Sequence, residues 1–492
     1  MNEAGDAPIP RMTAPQGARK IVIDPVTRVE GHGKVTIKLD EAGDVEEARF
    51  HIVEFRGFER FIQGRMYWEV PVIVQRLCGI CPVSHHLAAG KAMDAVVGAT
   101  ALTPTAEKMR RLMHHGQVLQ SNAVNFFHLA SPDLLLGFEA PVARRNIIGV
   151  IEAFPEVGKW AIFIRKFGQK VIAATGGRRI HPRLCTPGGV NQNLTPEHRD
   201  DLRGDIDQII IWCQDALALH KSFIGAHTSL YETFASFPSS YMSLVGQDGA
   251  MDLYDGTLRV IDADGAVILD GVKAADYRKH IVEEVRSWSY MKFPRLTGRA
   301  PEAGWYRVGP LAQINVCAFI PTPIADAART DFMTLGGGSL VHATLAYHWA
   351  RLICMIHCAE TIRELLFDDD LQGTDLVADP GERRGQGVAI IEAPRGTLIH
   401  DYEVAANDEV TAANLIVSTT HNNEAMNRSV KKVAQDYLSG HEITEGLLNH
   451  IEVAIRAYDP CLSCATHALG DMPLIITLED AEGAVIATRI KQ

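Results

Sequence analysis

Two Cys-x-x-Cys pairs stand near opposite ends of this chain, Cys78-Gly79-Ile80-Cys81 and Cys461-Leu462-Ser463-Cys464, and no other feature restricts the fold so tightly. Four thiolates at that spacing can converge on one metal, or on two metals that share bridging sulfurs. The inner members of the pairs are 461 − 81 = 380 positions apart, so a common site has to be assembled by the whole fold. Spacing alone leaves two readings open: a closed zinc site that staples the structure, or a working metal centre with chemistry of its own.

Composition narrows the setting. At 492 residues the chain exceeds the usual size of a single hydrophobic core, so one large domain or two intimately joined ones are expected. A net charge of −12 without a basic cluster argues against nucleic acid and anionic membrane as partners. Nine cysteines in such a length do not make a disulfide scaffold, and their pairing suggests a reducing compartment with metal or redox chemistry. Residues Met1 to Lys20 are polar and rich in Ala, Pro and Gly, with no apolar core of a secretory signal, and read as a flexible arm. No apolar run reaches the ~18 residues of a membrane span, and the protein is expected to be cytoplasmic.

Periodicity predicts an α+β fold that is mainly helical, a central bundle of long helices with peripheral antiparallel meanders. Residues 21–55 alternate in polarity and read as a β meander with Glu30 at its first turn. Gly57 and Gly64 suggest a short helix and loops before Arg76. The first Cys pair lies on a loop feeding a helix that starts near Pro82, where the helix dipole helps to keep a thiol ionised. Thr103 reads as an N-cap with Pro104 at N1, for a helix running to about Leu129. Further helices are expected over 191–227, 340–367 and 427–438. Two β excursions are expected near 250–270, around Asp264-Gly265, and over 388–417, with turns at Gly396 and Asn407-Asp408.

The surroundings of the cysteines resemble a known family. Asp24-Pro25-Val26-Thr27-Arg28-Val29-Glu30-Gly31-His32, Arg76 to Pro82 continuing Val83-Ser84-His85-His86, Glu392-Ala393-Pro394-Arg395-Gly396 and Asp459 to His467 are similar to the signatures of nickel-iron hydrogenase large subunits, in family order. The resemblance implies the fold of those subunits and a nickel held by Cys78, Cys81, Cys461 and Cys464. It further implies an iron sharing Cys81 and Cys464 and carrying cyanide and carbonyl ligands. Soft thiolates suit a nickel that shuttles electrons, and strong-field diatomics keep iron low-spin.

Dihydrogen is a very weak acid, so its heterolytic cleavage needs a metal beside a base that takes the proton. Cys461 is expected to accept that proton and pass it to Glu30, a buried carboxylate being a suitable next station. Without the motif, Glu30 reads as an ordinary turn carboxylate. Arg395 read alone is a core-edge cation. By resemblance it hangs over the metals with Pro394, stabilising charge and hydrogen-bonding cyanide, while Asp459 orients it through a bidentate contact. Thr419, or Ser418 if the register slips, aligns with a hydroxyl that donates to a diatomic ligand. Glu59, His467 and the Leu415 carbonyl are expected to hold magnesium beside the centre. Relatives carry an Asp that faces the arginine, and here the matching position is Ser121.

Other polar residues invite only structural readings. Cys354 and Cys358, i and i+4 on an apolar helix, and the isolated Cys185, Cys213 and Cys317 read as core packing. His85-His86 and His114-His115 read as capping or polar packing, and Gly336-Gly337-Gly338 as a turn.

The resemblance is greatest to cytoplasmic bidirectional enzymes of the NAD-reducing type, with Thr397 to Tyr402 and Val417 to Asn423 carrying it. It implies an iron-sulfur small subunit, together with diaphorase subunits, to hold the Fe-S clusters, FMN and NAD, because this chain has no Gly-x-Gly-x-x-Gly fingerprint and no spare Cys run. Sister enzymes using NADP or deazaflavin carriers share much of the pattern. A respiratory complex I core subunit shares the fold without these cysteines, and a zinc-stabilised structural protein would need only the Cys pairs. Nickel-insertion factors and a maturation endopeptidase are implied as well. The endopeptidase is expected to cut between His467 and Ala468, releasing residues 468–492 and leaving 21–467 as one catalytic domain. Within the tail, Leu474 to Leu478 and Val485 to Ala487 read as a hairpin around Glu482-Gly483.

Overall fold

The computed structural model describes residues 19–99, 101–466, 474–479 and 485–491. Three of its helices begin where a threonine satisfies a free N–H group of the first turn. Thr103 accepts from Ala106 N at the head of Pro104–Ala123, Thr195 from His198 N at the head of Pro196–Ala226, and Thr444 from Leu447 N at the head of Glu445–Ala457. In the first two, a proline at N1 costs nothing because its missing N–H would be unpaired anyway.

Pro104–Ala123, Pro155–Gly176, Pro196–Ala226 and Ala346–Leu366 pack against one another as the central bundle. Ala346–Leu366 is buried on every side over its first four turns and occupies the middle, as a helix without a polar face must. Pro104–Ala123 and Pro155–Gly176 approach closely: a Cβ on Gly168 would lie 2.6 Å from the Gly116 carbonyl oxygen, so only glycine permits the crossing. Pro104–Ala123 runs on into a π-helical segment, Val124–Ala130, which carries the helix as far as the sequence predicts.

Antiparallel sheets surround the bundle, and the α+β architecture is the one expected. Arg19–Ile23, Gly33–Leu39 and Val45–Ile52 form the N-terminal meander. It starts at Arg19, so Arg19 and Lys20 belong to a strand rather than to the predicted arm, whose other residues lie outside the described ones. Gly31-His32-Gly33 is not a hairpin turn. It ends a longer link from Asp24, and that link carries the first motif. The excursion predicted near 250–270 is part of a four-stranded sheet that also takes in Ser240–Val245 and Tyr306–Arg307, the latter pairing in parallel. An unforeseen hairpin, Ile281–Arg286 with Ser289–Leu296, follows.

Gln386–Ala393, Gly396–Val404 and Val410–Ile416 make the expected second meander, and Leu474–Glu479 pairs with Val485–Lys491 as predicted for the tail. Helices that went unforeseen include Pro155–Gly176, Pro323–Met333 and Glu445–Ala457, and boundaries moved: the helix expected from 191 starts at Pro196, that expected from 340 at Ala346, and that expected from 427 spans Asn423–Tyr437. No described helix is long and apolar enough to cross a membrane.

Candidate metal centre

Each Cys pair is delivered by a helix of its own. Cys81 is the N-cap residue of Pro82–Val96, a helix packed on the Gln386–Ala393 strand, while the second pair follows the end of Glu445–Ala457. The four sulfurs meet in the interior, all within 4.8 Å of one another. Cys78 Sγ is 3.3 Å from Cys461 Sγ, Cys81 Sγ is 3.7 Å from Cys464 Sγ, and Cys461 and Cys464 are 2.8 Å apart. None of the four is in a disulfide. A metal bound through ~2.3 Å bonds to sulfur holds its thiolates about 3–4 Å apart, so the cluster has the dimensions of a ligand set.

Electrostatics gives the same answer. Burial by itself would raise the Cys78 thiol, but hydrogen bonds from Cys461, Cys464 and Cys81 and the charge of Arg395 pull it well below its ordinary value. The amides of Ile80 and Cys81 also donate to Cys78 Sγ, each at 3.2 Å. Burial pushes Cys461 and Cys464 far upward, and the neighbouring thiols contribute to both shifts. The cluster therefore stabilises one thiolate easily and four only when a cation supplies the balancing charge, which is the condition for a metal site.

Glu30 reaches the cluster through the backbone. It forms a parallel β-bridge with Cys461, Leu462 N donates to its carbonyl at 2.9 Å, and its Oε2 accepts from Ser463 N at 3.1 Å and from Cys461 Sγ at 3.0 Å. Gly31 (φ 81°) permits this: a Cβ there would stand 2.8 Å from Ser463 N. Glu30 is half-buried rather than buried as expected, because it sits at the edge of the link between strands. From there Ser463 Oγ donates to Glu54 Oε2 at 3.1 Å, and Glu54 pairs with exposed His32. Neither Ser463 nor Glu54 was singled out in the sequence.

Pro394 and Arg395 are the two residues of the tight turn between Gln386–Ala393 and Gly396–Val404. Arg395 is buried, and although burial opposes its charge, Asp459 and then Cys461, Cys81 and Cys78 raise its pKa well above the ordinary value. Asp459 does not grip it in the expected bidentate way. Arg395 Nε donates to the Asp459 backbone carbonyl at 2.5 Å and Nη2 to Oδ1 at 3.1 Å, because Asp459 (φ 54°) turns its carbonyl toward the guanidinium. Burial pushes the Asp459 carboxyl up against the downward pull of Arg395 and Arg351. Ser121 faces Arg395 as aligned, with Oγ 3.4 Å from Nη1. Thr419, not Ser418, meets the cluster: Cys461 N donates to Thr419 Oγ1 at 3.0 Å, while the Ser418 hydroxyl is spent on the Gly396 carbonyl at 2.6 Å.

Glu59 and Leu415 lie together, Leu415 N donating to Glu59 Oε1 at 2.8 Å in a buried setting. Arg56 N donates to the carbonyl of Thr466, joining the chain before Glu59 to the end of the second motif. His467 lies outside the described residues. Among groups given structural readings, His86 accepts from Leu184 N and Cys185 N, and His114 Nε2 lies at hydrogen-bonding distance from the carbonyls of Leu253 and Glu392. Glu392, quoted in a motif but given no role, is fully buried. Burial raises its pKa to about 7 against hydrogen bonds from Gln313, Leu244 and Thr397.

Fold and site together define a thiolate-ligated metalloenzyme, with an acid and a fixed guanidinium at the metal position. Comparison with known proteins agrees. A family model described as nickel-dependent hydrogenase matches residues 56–140 and 247–467, and one described as HoxL-like matches residues 20–55. The chain is 49% identical to the NAD-reducing hydrogenase HoxS subunit beta of Cupriavidus necator, over 96% of this chain and all of that one. It is 41% identical to a chain of the vhc F420-non-reducing hydrogenase of Methanococcus voltae, over 94% and 98% of the two chains. A crystal structure of an NAD+-reducing [NiFe]-hydrogenase in the H2-reduced state superposes with a TM-score of 0.90 at 56% identity, covering 91% of this chain and 99% of that one. The Ni-Fe-Se hydrogenase of D. vulgaris Hildenborough, at 23% identity and TM-score 0.72, shares the fold. The chain belongs to the nickel-dependent hydrogenase family.

Proposed function

We propose that this chain is the catalytic large subunit of a cytoplasmic NAD-reducing nickel-iron hydrogenase, which cleaves dihydrogen reversibly. The observation that carries the reading is the 3.0 Å contact between Cys461 Sγ and Glu30 Oε2 at the edge of a buried four-thiol cluster. Cys78, Cys81, Cys461 and Cys464 would hold the nickel, with Cys81 and Cys464 shared by an iron that carries cyanide and carbonyl. When bound, the metal pair supplies an acidic, redox-active face on which dihydrogen is polarised.

The rest falls to the chain's own residues. Cys461 Sγ takes the proton and hands it to Glu30 Oε2, and Ser463 N–H holds that oxygen in place. Ser463 Oγ, Glu54 and His32 lead on toward solvent. Arg395, held by Asp459 and kept charged by that carboxylate and the neighbouring thiols, stabilises charge and would donate to a cyanide on the iron. The Thr419 hydroxyl, which accepts from Cys461 N, would donate to a diatomic ligand. Glu59, the Leu415 carbonyl and His467 would bind magnesium.

Electrons leave through an iron-sulfur small subunit to flavin-bearing diaphorase subunits and NAD+. The similarity to one component of an NAD-reducing enzyme supports this assignment. Residues 21–467 act as one catalytic domain, and an endopeptidase removes 468–492 after nickel insertion. The family match ending at residue 467 is in keeping with that boundary. Mass spectrometry of active enzyme is expected to find the chain ending at His467, and an attached tail would contradict it.

Glu30→Gln tests the core of the proposal. Loss of a proton acceptor is expected to lower H2 oxidation by roughly 10²–10⁴-fold with nickel content unchanged. Undiminished oxidation in that variant would remove Glu30 from the route.

A further inference from the structure

The contact between Cys461 and Glu30 joins two stretches of chain that have no sequence relation, and each reaches it through a strained turn. Arg28 and Asp459 are both non-glycine residues in the left-handed region, each at φ 54°, and each stands two residues before its member of the Glu30–Cys461 bridge. Such a conformation persists only where surrounding contacts hold it. Arg395 holds the Asp459 turn. The Arg28 turn is held by a different device, away from the cluster.

That device centres on Asp133, a carboxylate at the end of the bundle with 2% of its side chain exposed. Arg28 Nη2 donates to Asp133 Oδ1 at 2.5 Å, and Arg28 Nη1 to the Leu129 carbonyl at 2.6 Å. Arg456 Nη1 donates to Asp133 Oδ2 at 3.0 Å. Arg456 also ties the two stretches together directly, its Nε donating to the Thr27 carbonyl at 3.1 Å and its Nη2 to Thr27 Oγ1 at 3.0 Å. Glu452, one turn before Arg456, accepts from Thr27 N at 2.6 Å. The helix that leads into the second Cys motif is thus bolted to the link that carries Glu30, and one carboxylate receives a guanidinium from each side.

We infer that Arg28, Asp133 and Arg456 are positioning residues for the proton hand-over, an ionic clamp that sets the register of Glu30 against Cys461. The inference rests on the reading of Glu30 as proton acceptor. The backbones that carry Glu30 Oε2 and Cys461 Sγ meet at the bridge, at the contacts of Glu30 and Gly31 with Leu462 and Ser463, and at this clamp. A slip at Thr27 or Arg28 therefore passes straight into the sulfur–oxygen distance, on which proton transfer depends steeply. A clamp built of charged forks fixes direction as well as distance, which an apolar contact at the same place would not.

Arg28 is the residue to vary first, because its side chain is 18% exposed and its loss leaves Asp133 still paired with Arg456. In the assembled enzyme, Arg28→Met is expected to lower kcat for H2-dependent dye reduction about tenfold or more. Nickel content and KM for H2 should hold, and the solvent isotope effect on kcat should rise as proton transfer becomes limiting. Arg28→Lys, which restores the charge, is expected to recover most of the rate. Asp133→Asn should have the larger effect of the same kind. If it fails to load nickel, the two Arg28 variants decide alone.

An unchanged kcat in Arg28→Met, or a kcat that falls only in step with nickel content, would overturn the clamp. Glu30→Gln measured alongside separates the two ideas. If Glu30→Gln is inactive while Arg28→Met is silent, only the clamp falls, and if Glu30→Gln is fully active the clamp falls with the acceptor.

Discussion

Nine cysteines are buried and unpaired in this chain, yet four converge in one cluster that could hold a metal and five do not. Cys213 sits in the bundle where burial alone drives its thiol up, and Cys185 and Cys317 are pushed up to about 11 by burial even though Arg110 and Arg329 pull the other way. Cys354 and Cys358 lie four apart on the central helix and are raised likewise. Cys461 and Cys464 are raised as well, but Cys78, as deeply buried, shifts the opposite way, because two amides, three thiols and a guanidinium face it. Burial is thus common to both sets and decides nothing. Converging donors turn an inert core thiol into a ligand.

The sharpest way to break this contrast is a pair of substitutions. Cys464→Ala is expected to abolish nickel binding and turnover together. Cys213→Ala should keep its nickel and activity, at a cost of about 1–2 kcal/mol in stability from the small void it leaves. Metal analysis and a thermal melt check both, and nickel retained in the first or lost in the second would dissolve the distinction.

Arg395→Lys follows in size. Lysine keeps the charge but cannot reach the Asp459 carbonyl and carboxylate together. Turnover is expected to fall roughly 10²-fold with nickel retained, as when a fixed donor is removed from an active site. Activity assay against nickel content measures it.

Glu392 gives a pH test on the same hairpin. Its folded pKa, about 7, lies above the ordinary carboxyl value of 4.5, so the folded chain binds the extra proton between those limits. Stability is therefore full at low pH and falls as pH rises toward 7, by up to a few kcal/mol, then levels off. Thermal melts at pH 5 and pH 8 should show the drop in the parent and a smaller one in Glu392→Gln. The smallest effect is expected from Ser121→Asp, which offers Arg395 a second carboxylate. Nickel content should stay and turnover remain close to the parent's.

Much of the site was legible because its chemistry is written in local motifs. The two Cys pairs, Glu30, Arg395 and Asp459 each belong to a run of neighbours with a fixed pattern. What escaped was contact between distant residues. Nothing near Asp133 announces that Arg28 and Arg456 will close on it, since those partners are 105 and 323 positions away.

In the fold, helices and hairpins with clear caps and turns were readable, but Pro155–Gly176 was not. Its glycines count against a helix locally and make sense only beside their neighbours: Gly168 and Gly176 let in the Pro104–Ala123 helix, and Gly158 lets in Ile151. The Glu445–Ala457 helix bears a readable cap at Thr444. Its polar residues Asn449, Glu452 and Arg456 are buried among partners that no periodicity reveals.

The account rests on four sulfurs from two ends of the chain sharing one nickel. Elemental analysis of the purified, assembled enzyme asks this directly. One nickel per copy of this chain, lost on Cys461→Ser, is the expected result, and stoichiometric zinc with no nickel would contradict it.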